Sequence, residues 1–303
     1  EPPRHLSLDD FKTIVGQFPR LKWVNLTGEG DAFMNPDYLK MIEFLKRKDV
    51  VTYLVDSFDL IDKDIARNII KLGVEGIWVS MDGATKETYE KIKKGCNFEK
   101  VLGNIKSLIE IKKGKRSPLP EISFRYIINK LNVTEMPQFV KLVRSLGDKD
   151  ALGENMKIEF AGLLKFKEVE HLFIDKVPPE LVEATQDAAR ESGIRISFAH
   201  PEKEENLRDM CYCAAWMEPY IMLGGYVLPC CAVLMSNKRP YLREHCFGNL
   251  LKMPFKDIWF SARYIEFRRE VPRREGKVPL LCAGCRVYNT RIRERSYGVS
   301  DSV

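Results

Sequence analysis

The sequence predicts an α/β fold, a full or partial βα-barrel followed by a smaller, cysteine-bearing domain. Three observations carry this reading. Short apolar runs alternate with helical patterns from residue 7 to about 165, most of these runs end on glycine or polar residues, and seven of the eight cysteines lie between Cys211 and Cys285. Apolar strands separated by amphipathic helices are those of a parallel sheet with helices outside.

Taken in order, Trp23-Val24-Asn25-Leu26 is strand-like and runs into a glycine turn at Gly28 and Gly30. Asn35-Pro36-Asp37 then opens a helix whose Leu39, Ile42 and Leu45 recur at helical spacing. The strand over residues 50–55 is followed by a helix over 62–72, and the strand over 76–81 by helices over 87–94 and 98–112. Residues 122–128 and 156–160 continue the alternation. Gly28 to Asp31, Asp56-Ser57, Ser80 to Gly83 and Asn129-Lys130 follow strands directly. In a βα-barrel the C-terminal strand ends form the shared mouth where ligands bind.

Beyond Ala199 the pattern changes. Residues 200–210 are charged and loop-like, Tyr220 to Pro229 reads as a hairpin around Gly224-Gly225, and residues 255–271 read as a helix before a closing loop at 277–285. These features place a boundary near residue 200, with a barrel at 1–199 and a metal- or cluster-bearing domain at 200–303.

With 45% hydrophobic and 30% charged residues, the 303-residue chain is excluded from the disordered and collagen-like classes. The 49 basic and 43 acidic residues leave a net charge of +6, a mixed surface that does not itself imply a nucleic-acid partner. The basic tail Arg286, Arg291, Arg293, Arg295 reads as a solvated end. No apolar run approaches the roughly 20 residues needed to cross a bilayer. The polar start, EPPRHLSLDDF, is not a signal peptide, and late, clustered cysteines in a Lys-rich chain suit a reducing compartment, the cytoplasm.

The cysteines form the sharpest signal. Cys213, the hairpin residue Cys230 and the pair Cys282-x-x-Cys285 offer four thiolates, which suit either a tetrahedral zinc or a [4Fe–4S] cluster. Cys211, Cys231 and Cys246 are then spare, and Cys96 stands apart.

Leu26-Thr27-Gly28-Glu29-Gly30-Asp31-Ala32 resembles the second motif, GGEP, of radical S-adenosylmethionine (SAM) enzymes. Ser80-Met81-Asp82-Gly83-Ala84 with Tyr89 to Gly95 resembles their "SIDGA…YEKIRKG" segment. Cys213…Gly225-x4-Cys230, Phe247-Gly248-Asn249-Leu250 and Cys282-Ala283-Gly284-Cys285 resemble the SPASM/twitch extension, whose first ligand fits at Cys213 or Cys211. The resemblance implies a partial (β/α)6 TIM-like barrel, SAM as cofactor, and an auxiliary [4Fe–4S] cluster held in twitch form by Cys213, Cys230, Cys282 and Cys285. It sets Gly30 and Asp31 near the methionyl amino group of SAM, Ser57, Ser80 and Asp82 at its ribose or carboxylate, and Lys93 at the carboxylate. Arg125 would face SAM or a substrate carboxylate, or make an ion pair at the barrel rim.

The implied function is a radical SAM oxidoreductase or maturase. Its 5′-deoxyadenosyl radical would abstract hydrogen from a peptide or small-molecule substrate, with a ferredoxin or flavodoxin as electron donor. The family's Cys-x3-Cys-x2-Cys loop does not occur in these residues, and the first residue is Glu1 rather than methionine. The first strand and the loop that binds the SAM cluster are therefore expected upstream of Glu1. The alternative is a non-catalytic binding module that keeps only a structural metal in its tail.

Overall fold

The structure is a computed structural model and describes residues 4–28, 30–163, 167–199, 218–230, 239–271 and 279–282. The described elements run α1 (Leu8–Gly16), β1 (Trp23–Leu26), α2 (Tyr38–Lys46), β2 (Val51–Asp56), α3 (Lys63–Leu72), β3 (Gly76–Ser80), α4 (Lys86–Ile92) and α5 (Phe98–Gly114). They continue with β4 (Glu121–Ile128), α6 (Met136–Leu146), α7 (Lys149–Leu152), β5 (Lys157–Gly162), α8 (Pro179–Ser192) and β6 (Arg195–Ala199). Then come β7 (Tyr220–Met222), β8 (Tyr226–Leu228), α9 (Arg239–His245), α10 (Phe255–Trp259) and α11 (Ala262–Glu270).

Local chemistry sets the helix ends. The Asp62 carboxylate accepts from the Asp64 and Ile65 amides to open α3, which stops at Gly73 in the left-handed region, φ 69°. Thr85 and Asn97 cap α4 and α5 in the same way.

The six strands form one open parallel sheet in the order β1-β2-β3-β4-β5-β6, one strand more than the five read from the sequence. One face packs against the helices: Ile77, Val79, Ile122, Phe124, Tyr126, Ile158 and Phe160 are at most 1% exposed. Phe139 of α6 lies 4.7 Å from the Tyr126 ring and 6.3 Å from Phe160, centroid to centroid. On β3–β6 the alternate residues are polar or half-buried: Trp78, Ser80, Ser123, Arg125, Lys157, Glu159 and Ser197. One face of these strands is thus wholly apolar and the other mixed. The other faces the hollow of the unclosed sheet, where water or a ligand can meet side chains.

The described residues divide into two compact units, 20–163 with 172–200, and 1–19 with 164–171 and 201–303. In the latter, β7 and β8 pair antiparallel around Gly224 and Gly225, both at positive φ (89° and 84°). The Asn249 amide donates to the Gly224 carbonyl at 2.8 Å and pins the turn. Val227, Leu250, Ile258, Tyr264, Phe267 and Cys282 form the core, joined by Ile14 of α1. The Gln17 side chain donates to the Leu250 carbonyl and accepts from the Phe255 amide at 2.6 Å. The single helix expected over residues 255–271 is two, because the Ser261 hydroxyl accepts from the Tyr264 amide and starts α11 afresh.

Candidate cofactor and cluster sites

The ends of β1 and β2 bring two carboxylates together. Asp31 caps the short 3-10 turn at Ala32–Met34, its Oδ1 accepting from the Phe33 amide at 3.0 Å. Its Oδ2 accepts from the Ser57 hydroxyl at 2.7 Å. Asp56 is 3% exposed; its Oδ1 accepts from the Phe58 amide at 2.7 Å, while its Oδ2 is buried with no hydrogen-bond partner among the described residues. Burial first, and the charge of Asp31 second, push the Asp56 carboxyl up to about 8. Gly30 sits at φ 86°, with open space where a Cβ would lie, so bare backbone borders the pair.

A cation bound here would favour the ionised form of Asp56. Binding of a cationic ligand at this pair near neutral pH is therefore expected to release up to one proton. Asp56→Asn is expected to abolish that release, read by calorimetry in buffers of different ionisation enthalpy. In the free protein the sign is opposite to that of a usual salt-bridged carboxylate. A raised folded pKa contributes stability that is complete below the ordinary carboxylate value, about 4, and is lost as pH rises to about 8.

At the ends of β3 and β4, Lys93 Nζ donates to Ser80 Oγ at 2.9 Å and pairs with Asp82 Oδ2 at 3.1 Å. Asp82 Oδ1 accepts from the Ile127 amide at 2.7 Å. Ser80, Asp82 and Lys93 therefore converge, and Asp82 ties two strand ends as well as pairing with the lysine. Behind them Asn132 is fully buried, its amide donating to the carbonyls of Asp82 and Ile127, both at 2.9 Å. Asn132→Ala would orphan the Asp82 carbonyl and the Asn129 backbone amide, which donates to Asn132 Oδ1 at 2.8 Å, while the Ile127 carbonyl keeps the Asn129 side-chain amide at 3.2 Å. A loss of about 2–4 kcal/mol is expected in denaturant unfolding.

Arg125 is held by Glu159, Nη2 to Oε1 at 2.9 Å, and its guanidinium lies 5.2 Å from the centre of the Trp78 ring. Ser80, Arg125, Glu159 and Ser197 form one row across β3 to β6. Glu159 and Asn132 are additions to the residues read from the sequence, where Asp56 stood only as a strand-end residue. Asp56 and Glu159 each had a signal, a carboxylate closing or interrupting an apolar strand, whereas a buried asparagine in a loop has none.

Of the cysteines read as cluster ligands, Cys230 and Cys282 are described, while Cys213 and Cys285, with the alternative Cys211, lie outside the described residues. Cys230 packs against the cluster that contains Leu281, the neighbour of Cys282, and Cys282 is 7% exposed. Cys282 itself belongs to the neighbouring core of Val227, Tyr264 and Phe267, so the two thiols lie in separate apolar clusters joined by the Leu281–Cys282 step. Among the described residues no three His, Cys, Asp or Glu side chains converge as a metal site. Thiols in an apolar surround suit a soft, thiolate-ligated centre.

Residues 211–286 match the SPASM family, an iron–sulfur cluster-binding domain. The chain is 22% identical over 265 residues to the tungsten-containing aldehyde ferredoxin oxidoreductase cofactor-modifying protein of Pyrococcus furiosus, covering 83% of this chain and 71% of that one. It is 21% identical over 311 residues to the AdoMet-dependent heme synthase of Methanosarcina barkeri, covering 94% and 83%. In fold it matches SuiB of Streptococcus suis, solved with S-adenosylmethionine, with a TM-score of 0.67 at 15% identity. That match covers 95% of this chain but 65% of SuiB, so the chain spans less than two thirds of that protein. With its parallel sheet, its iron–sulfur domain at residues 211–286 and these relatives, the chain is similar to radical SAM enzymes that carry a SPASM-type domain.

Proposed function

We propose that this protein is a radical SAM oxidoreductase or maturase that removes hydrogen from a peptide or small-molecule substrate. The observation that carries the reading is the acidic strand-end pair, Asp31 beside a buried Asp56 with an unused oxygen, bordered by the backbone of Gly30. Two carboxylates and an open backbone fit the cationic methionyl end of SAM. When bound, SAM and a reduced cluster supply a 5′-deoxyadenosyl radical.

The chain's own residues then bind and orient. Asp31 is braced by Ser57, so its carboxylate holds one direction without reorganising. Asp56 yields its proton as the cation arrives. Ser80 and Lys93 would meet the ribose and carboxylate, with Asp82 fixing the lysine. The helix-covered face of the sheet closes one side of the site to water. Cys230 and Cys282, with Cys213 and Cys285, would hold the auxiliary [4Fe–4S] cluster, a group that would supply an electron acceptor or a binding point for the substrate. A ferredoxin or flavodoxin would serve as donor. The described residues contain no helix long and apolar enough to cross a membrane.

The test is iron and acid-labile sulfide per chain in anaerobically purified full-length protein, with 5′-deoxyadenosine measured after reduction. About eight irons, four per cubane, together with 5′-deoxyadenosine are expected. About four irons and no 5′-deoxyadenosine would leave only a cluster-binding module, and zinc without iron would overturn the reading.

A further inference from the structure

Deep in the open face of the sheet, two cations share one ring. Register places Trp78, Ser123, Lys157 and Arg195 in one row across β3 to β6, and Ser80, Arg125, Glu159 and Ser197 in the row two residues nearer the strand ends. The Arg125 guanidinium lies 5.2 Å, and the Lys157 ammonium 5.3 Å, from the centre of the Trp78 indole. Glu159 compensates Arg125. Arg195 is turned away, its guanidinium donating to the Glu154 carbonyl at 2.6 Å. The Lys157 ammonium has no carboxylate or hydrogen-bond partner among the described residues, and Arg125 Nε is buried without an acceptor. Two like charges drawn onto one indole, answered by a single carboxylate, leave an excess positive charge and an unused N–H donor within a half-buried hollow.

We propose that this hollow binds an anionic group of the substrate, a carboxylate or a phosphate, with Lys157 and Arg125 as anchors and Trp78 as the floor. Calling the ligand a substrate rests on the radical SAM reading; the anion site itself does not. Charge-assisted contacts are the strong ones available here, and Ser123 and Ser197 extend both rows with small polar side chains. Lys157 is thereby a specificity-determining residue, separate from the Asp31–Asp56 and Lys93 positions.

The experiment is a calorimetric titration of the whole protein, without SAM or reductant, using inorganic phosphate and succinate as probes and 1,4-butanediol as the uncharged control. Saturable binding of at least one anion and none of the diol is expected. The tighter anion tells whether a phosphate or a carboxylate is preferred. Lys157→Met should weaken it about tenfold or more, and Lys157→Arg should retain it within a few-fold, which separates charge from folding. The proposal is overturned if neither anion saturates the wild-type protein or if Lys157→Met binds as well as wild type. The two readings fail separately. A protein that titrates as expected but makes no 5′-deoxyadenosine loses only the radical assignment, and one that makes 5′-deoxyadenosine but ignores both anions loses only the anion site.

Discussion

Replacing Cys282 with alanine is expected to cost the protein about four irons per chain, one cubane, and to abolish product while SAM cleavage persists. Cys282 is 7% exposed and packs with Val227, Tyr264 and Phe267. The truncation therefore removes both a proposed ligand and a small buried volume. Deleting one sulfur from a core costs about 1 kcal/mol, too little to unfold a domain. Cys282→Ser separates the two effects, since serine restores most of the volume but is a poor ligand for iron. Loss of iron in both variants would identify a ligand; retention in serine alone would identify a packing residue. If SAM cleavage disappears together with the iron, the C-terminal cluster is not confined to the substrate's electron.

Asp82→Ala carries the second large effect. It strands the Lys93 ammonium, whose side chain is only 20% exposed, and removes the acceptor of the Ile127 amide. Breaking a buried ion pair from one side typically costs about 3–5 kcal/mol. A fall of that order is expected in the unfolding free energy, measured in urea with an unchanged slope. Asp82→Asn keeps an oxygen for Ile127 and discards the charge, so it should lose less. Equal losses would mean that the backbone contact is irrelevant and the ion pair carries the whole cost. A loss below about 1 kcal/mol in Asp82→Ala would place the pair in the class of exposed bridges.

The first five strands were legible because each is a short apolar run that ends on glycine or a polar residue. The sixth, Arg195–Ala199, was not, since RISFA is short and begins on a cation. Helices α6 and α8 carry proline in their first turn, where it is tolerated but reads as a breaker in a linear scan. The site divides on the same lines. Gly30, Asp31, Ser57, Ser80, Asp82 and Lys93 follow strands or helices in family order, and the structure joins Asp31 to Ser57 and Lys93 to Ser80 and Asp82. What Asp56 does to Asp31 depends on β1 lying beside β2 in register. The partner of Arg125, Glu159 on β5, depends on a pairing 34 positions away in the chain. Such effects belong to neighbours in space, and no local pattern announces them. The apolar reading of the strands likewise missed their polar face, which only alternation across several paired strands reveals.

The Gln17 contacts impose an order on folding. Its side chain closes onto Leu250 and Phe255, loops of 233 and 238 residues, so these contacts at the end of α1 form only once residue 255 is available. The parallel sheet, complete by Ala199, needs none of the later sequence for its strand pairing. During vectorial synthesis the sheet can pair while the helix that precedes it still waits with its apolar side uncovered. Residues 8–17 are thus among the last to settle, after the sheet that follows them in sequence has paired its strands.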